Sequence, residues 1–207
     1  MAEVEPAPRL IVFTDATRVE PAQIVQSFSR LGERARPGSV IFMVRDYQLA
    51  LLERWALAQR VAELAARTQQ LLGLADRADL ALALGCSAFH LPGSSLCASD
   101  ARRYLGPRVF LSRGSHDPDS VPEPELDALL LSPIFEVRKG RPALGLQALA
   151  RAVRSRDQAP ALFALGAVDA RNAASCLAAG AAGVAVIGAA LVADPAPLLD
   201  ALGILRG

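Results

Sequence analysis

The sequence predicts a single α/β domain of the (β/α)8 TIM-barrel class, and three observations predict it. Short, continuously apolar runs alternate with helical stretches eight times from Leu10 onward. Residues 72–93, LGLADRADLALALGCSAFHLPG, compress a strand, a helix and a second strand into the compact unit that builds parallel sheets. The last quarter, ALFALGAVDARNAASCLAAGAAGVAVIGAAL, sets Gly166 just after one strand and Gly188 just after the next.

In chain order, residues 1–9 are Pro-rich and are expected to form a flexible tail, leaving residues 10–207 as one barrel domain. Strands are predicted at Leu10–Thr14, Val40–Val44, Gln70–Leu74, Ala88–Leu91, Val109–Ser112, Ala128–Ser132, Ala161–Leu165 and Gly183–Ile187. All are short and apolar throughout, as strands covered on both faces should be. The clearest helices are Pro21–Glu33, Leu49–Arg67, Arg77–Leu84, Leu146–Arg154 and Ala170–Ala179, with Ala196–Leu202 closing the chain. Pro21 suits a helix start, and Asp169 is placed to begin the seventh helix. The fifth unit is the weakest, because the prolines in Asp117–Glu125 leave room for only a turn or two of helix.

Apolar residues make up 52% of the chain, enough for a sizeable core, and 22 basic side chains nearly cancel 21 acidic ones. That balance asks for no nucleic-acid or membrane-surface partner. Cys86, Cys97 and Cys176 show neither a disulfide framework nor a metal-knuckle spacing, which points to a reducing cytoplasm. The opening MAEVEPAPR has no apolar signal core, and no run approaches the roughly 20 residues that cross a bilayer.

In barrels of this class the loops after the seventh and eighth strands commonly cradle a phosphate on backbone N–H groups. Gly166, Ala167, Ile187 and Gly188 stand at those places. The alternative is that the two glycines serve ordinary turns.

Several blocks together resemble one family. The stretch Leu10–Asp15 looks like an apolar opening strand ending in Thr-Asp. Met43-Val44-Arg45-Asp46-Tyr47 stands where the family reads Gln-x-Arg-Glu-Lys. Ala75-Asp76-Arg77-Ala78-Asp79-Leu80-Ala81-Leu82 is similar to its Asn-Asp-x-x-acidic-Leu-Ala-Leu block, and Phe89-His90-Leu91 to its Val-His-Leu strand. Ser132-Pro133-Ile134-Phe135 with Lys139 resembles its Gly-Pro-Ile-Phe loop with a downstream Lys. Ala164-Leu165-Gly166-Ala167-Val168 with Asn172 resembles Ala-Ile-Gly-Gly-Ile with a downstream Asn. By these blocks, over about Leu10 to Leu191, the chain resembles the thiamine phosphate synthase and thiazole tautomerase superfamily of barrels.

The resemblance implies a thiamine phosphate synthase-like barrel, and the departures shape the expected activity. A synthase couples a pyrimidine diphosphate to a thiazole phosphate and releases diphosphate with magnesium's help. Met43 and Ala75 replace the Gln and Asn that hold the pyrimidine, and Tyr47 replaces the Lys facing the diphosphate. Asp76 keeps one magnesium carboxylate, Ser95 or a neighbour replaces the other, and Glu136 and Val137 stand for a Thr pair. The expectation is therefore thiazole tautomerase-like proton transfer on a thiazole phosphate or similar phosphorylated heterocycle. The alternatives are a synthase with an altered site and a non-catalytic ligand-binding or regulatory barrel. No cofactor is expected, with magnesium entering only under the synthase reading. The implied partner is the small phosphorylated ligand, and a homodimer follows only by family analogy.

His116 is expected to move the proton, with Arg45 meeting an anion and Lys139 either clamping one or belonging to a solvated basic run with Arg138 and Arg141. His90 either faces the ligand or is a core histidine bonded to a neighbour. Asp15 either orients a ligand amine or caps a backbone amide, and Asp76 either binds metal or pairs with Arg77 or Arg45.

Overall fold

The computed structural model describes residues 7–93, 96–138, 140–155 and 160–207, in which eight strands close into a barrel in sequence order. They are β1 (Leu10–Phe13), β2 (Val40–Val44), β3 (Leu71–Ala75), β4 (Ala88–Leu91), β5 (Phe110–Ser115), β6 (Ala128–Leu131), β7 (Ala161–Leu165) and β8 (Gly183–Val186). Neighbours pair in parallel all the way round, and Leu10 of β1 meets both Val40 of β2 and Val184 of β8. The α-helices among the described residues are α1 (Pro21–Arg34), α2 (Leu51–Thr68), α3 (Ala78–Ala83), α4 (Ala98–Leu105), α5 (Gly145–Arg154), α6 (Ala173–Ala178) and α7 (Ala196–Ala201), with a single 3-10 turn at Gly188–Ala190 after β8. None is long and apolar enough to cross a membrane. Residues 1–6 of the expected tail lie outside the described part.

The strands are apolar throughout because both faces are covered. Alternate residues turn inward, where Ile11, Phe13, Ile41, Met43, Ala88, Leu130, Phe163 and Ala185 fill the barrel. The residues between them turn outward onto the helix ring; Phe42 of β2 stacks on Phe28 of α1, with ring centroids 4.8 Å apart. The inward parity continues past each strand's last residue. From Ile11 and Phe13 it reaches Asp15, from Ile41 and Met43 it reaches Arg45, and from Ala185 it reaches Ile187. Polar side chains at the upper rim are thus aimed by the same alternation that packs the core.

Several element limits differ from the sequence reading. β5 runs to Ser115 because Arg113, Gly114 and Ser115 pair with Leu129, Leu130 and Leu131. The connection over residues 116–127 holds no helix, and Leu126 at its end is buried against the barrel. α3 begins at Ala78 rather than Arg77, since Asp76 has a φ of 74° and Arg77 stays outside the helical region. Asn172, not Asp169, precedes α6: the Asn172 side-chain oxygen accepts the Asp169 amide at 2.9 Å, and Asp169 accepts the Arg171 amide at 2.8 Å. Gln70 is a staple below β3, not its first residue, and its side-chain oxygen accepts the Val40 amide at 3.0 Å.

Candidate functional site

Two adjoining cavities open at the C-terminal rim of the barrel. The central one, of about 410 Å³, is lined by Arg45, His116, Ser132, Arg138 and Arg141 above an apolar floor that includes Leu165 and Ile187. The second, of about 340 Å³, lies over the backbone of Gly166, Ala167 and Val168 after β7 and of Ile187, Gly188 and Ala189 after β8. Arg138, Leu165, Gly166 and Ile187 line both. Of the residues expected at the site, the fold brings His116 and Arg45 to the central cavity, Ala167 and Gly188 to the second, and Gly166 and Ile187 to both.

Gly166 has a φ of 107°, and a Cβ on it would stand 2.9 Å from Pro133 Cα and 3.0 Å from the Ile134 nitrogen. The β6 loop packs directly on the end of β7, with the Ile134 and Phe135 amides donating to the carbonyls of Leu165 and Gly166. Only glycine fits between the two backbones there. Ala167 also takes a left-handed conformation, at φ 54°.

Arg18, which the sequence reading passed over, reaches the second cavity. Its Nη1 would lie 3.3 Å from a Cβ on Gly188, and its Nε donates to Asp15 at 3.1 Å. Arg171 lines the same cavity, held by Asp169 at 2.6 Å, and Glu136 lines it as well. Guanidinium groups beside exposed backbone form a surface able to hold a phosphate-like anion.

Asp15 does not line either cavity. Buried at the end of β1, it accepts the Thr17 amide at 3.2 Å and its hydroxyl at 2.5 Å, and lies 3.5 Å from Arg45 Nη2. Burial pushes its carboxyl up, but the Thr17 bonds and the neighbouring arginines outweigh that and hold it below its ordinary value. One carboxylate therefore tethers Arg18 of the second cavity and Arg45 of the central one. Arg45 also lies 5.9 Å from the Phe13 ring centroid, and its amide donates to Thr14 Oγ1 at 2.9 Å. Asp46 bonds the Ala16 amide at 2.6 Å instead of pairing with Arg45.

His116 follows β5 at once, at the inward parity of Phe110, Ser112 and Gly114. Its Nδ1 is 2.8 Å from the Ser132 carbonyl oxygen. A carbonyl only accepts, so Nδ1 carries the proton, and in the neutral ring Nε2 is left as a base. His90 takes a different place. It lies inside the barrel with Nδ1 3.0 Å from Ser112 Oγ and its ring edge-on to Phe13, and it lines neither cavity. Burial, with Arg45 and Arg113 nearby, pushes its pKa down to about 4. Because that lies below the ordinary 6.5, the unfolded chain binds the proton first as pH falls. The stability tied to the neutral ring is complete above about pH 6.5 and drains away towards pH 4. His90→Gln is expected to remove about 2 kcal/mol of the stability difference between pH 7 and pH 4.5, read by urea unfolding. An unchanged difference would contradict this.

Asp76 stands exposed at the end of β3 and lines neither cavity. It pairs with neither expected arginine, since Arg77 binds Asp79 at 2.5 Å and Arg45 binds Asp15. Tyr47 lies within electrostatic reach of both Arg45 and Asp76, and burial raises its pKa. Among the described residues no group of three or more His, Cys, Asp or Glu converges as metal ligands. Asp76 supplies one exposed carboxylate away from both cavities, short of a protein-built magnesium cage at either. Lys139 and Ser95 lie outside the described residues. Cys86 and Cys176 are buried packers whose thiols burial pushes up to about 12 and about 11.

Comparison with known proteins gives the chain a lineage. A family profile described as thiamine monophosphate synthase matches residues 11–190. The chain is 32% identical over 195 residues to a thiamine-phosphate synthase of Koribacter versatilis, covering 91% of this chain and 90% of that one. It is 37% identical over 147 residues to one from a Mycobacterium species, covering 69% of this chain and 65% of the relative's length. Among solved structures, a thiamine phosphate pyrophosphorylase from Pyrococcus furiosus superposes with a TM-score of 0.75 over 94% of this chain and 95% of that one, at 19% identity, a likeness of fold.

Proposed function

The chain belongs to the thiamine monophosphate synthase family, and on that premise we propose that it couples a pyrimidine diphosphate to a thiazole phosphate. The relatives' names favour coupling over the tautomerase-like activity expected from the motif departures. One observation carries the proposal: the two cavities share Arg138, Leu165, Gly166 and Ile187. Two anionic halves can meet across that shared wall, whereas an isomerase needs room for one. In the coupling, the bond from the pyrimidine's side-chain carbon to a diphosphate oxygen breaks. The electron pair leaves with diphosphate, and the lone pair of the thiazole nitrogen forms the new C–N bond. The thiazole phosphate rests on the backbone around Gly166 and Gly188 beside Arg18. The central cavity takes the pyrimidine and its departing diphosphate, whose growing negative charge Arg45 faces.

Incubation with both substrates, with and without magnesium, is expected to yield thiamine phosphate and one diphosphate per turnover. No product under either condition would refute the coupling. A second reading rests on the His116 tautomer, because a ring with Nδ1 donating and Nε2 basic suits proton transfer on a thiazole phosphate. The same protein offered the thiazole tautomer alone distinguishes the two.

A further inference from the structure

We infer that the diphosphate-type anion in the central cavity is held by Arg45, Arg138 and Arg141 without a magnesium ion. This rests on the coupling reading for the nature of the anion, and on this chain's own side chains for how it is held. Three guanidiniums line the central cavity, and among the described residues no carboxylate lines it with them. Arg138 and Arg141 pair through backbone bonds of 3.0 Å in each direction, a tight bridge that sets both at the same opening. Among the described residues neither forms an ion pair with a carboxylate. Arg45 is the anchored member, tied to Asp15 at 3.5 Å.

A divalent cation placed among three guanidiniums would be repelled by them, with only the anion itself, and no lining carboxylate among the described residues, to offset that. Asp76 lies outside the cavity, and Ser95 has no carboxylate to offer. Arginine forks match the spacing of phosphate oxygens and keep their charge at any working pH. Charge neutralisation by fixed side chains thus substitutes for an ion.

The test is calorimetric titration of the full chain with inorganic pyrophosphate, once in EDTA and once in excess magnesium. Binding in EDTA is expected within about threefold of that in magnesium, and an Arg138→Gln/Arg141→Gln double variant is expected to weaken it at least ~tenfold. Both side chains are exposed, so circular dichroism should find the variant folded. Binding only with magnesium, no binding under either condition, or a double variant that binds as tightly as the parent would each overturn the inference. The coupling assay fails separately. If thiamine phosphate never forms but pyrophosphate still binds in EDTA through the two arginines, the coupling falls and the arginine site stands. If product and pyrophosphate binding both require magnesium, the reverse holds.

Discussion

Gly166→Ala is expected to destabilise the fold by about 2–4 kcal/mol, by adding left-handed strain and a backbone clash at one atom. The φ of 107° disfavours any side chain, and the added methyl would press on Pro133 Cα and the Ile134 nitrogen, neither of which can rotate away. The β6 loop would have to lift from the end of β7, opening the wall shared by the two cavities. Urea unfolding measures the first effect, and loss of the thermal shift given by inorganic phosphate measures the second. Ala167→Gly provides the opposite sign one residue on, because it relieves a left-handed alanine at φ 54°. A Gly166→Ala protein as stable as the parent would show that the two backbones are not in fixed contact.

Arg45→Gln is expected to lower kcat/KM for coupling by about 10²–10³-fold, the usual loss when one preorganised charge facing a developing anion is removed. Its guanidinium is held at the rim by Asp15 and by the Phe13 ring beneath, so little reorganisation is needed when the leaving group gains charge. Arg45→Lys should recover only part of the rate, since an ammonium cannot reproduce the fork. Steady-state rates on variants with parent-like unfolding midpoints decide it. A Gln variant within threefold of the parent would place the leaving group elsewhere.

Much of the barrel could be read from the chain because burial on both faces writes itself as unbroken apolar runs. β2, Val40–Val44, and β7, Ala161–Leu165, sit where their runs predict. Arg45 was legible at the rim for the same reason, as it directly follows such a run, and Ile187 as the last residue of one, although β8 itself ends at Val186. Arg113–Ser115 were not, because their polar side chains mimic a loop while their backbone pairs with β6. Nor was Arg18: it reaches Gly188 only because Asp15 and Thr17 fold the β1 loop back across the rim. Arg138 and Arg141 stood out as a basic run, but what aligns them over one opening is a backbone bridge between these two residues, three apart and outside the strands. The ambiguity at Asp15 resolves through the Thr17 amide two positions on and through Arg45 thirty positions away, its second ion pair.

The helix missing between β5 and β6 bears on how this barrel can diverge. Elsewhere each rim loop is braced by a helix whose packing would suffer from a change in loop length. The connection over residues 116–127 carries His116 at its start and is anchored at its far end, where Glu123 accepts the Ala98 amide and pairs with Arg113, and Arg102 bonds the Glu125 carbonyl and Asp127. Length changes over residues 117–122, ahead of those anchors, disturb no helix, so the corner of the rim that carries His116 is open to evolutionary retooling while the remaining staves keep their register.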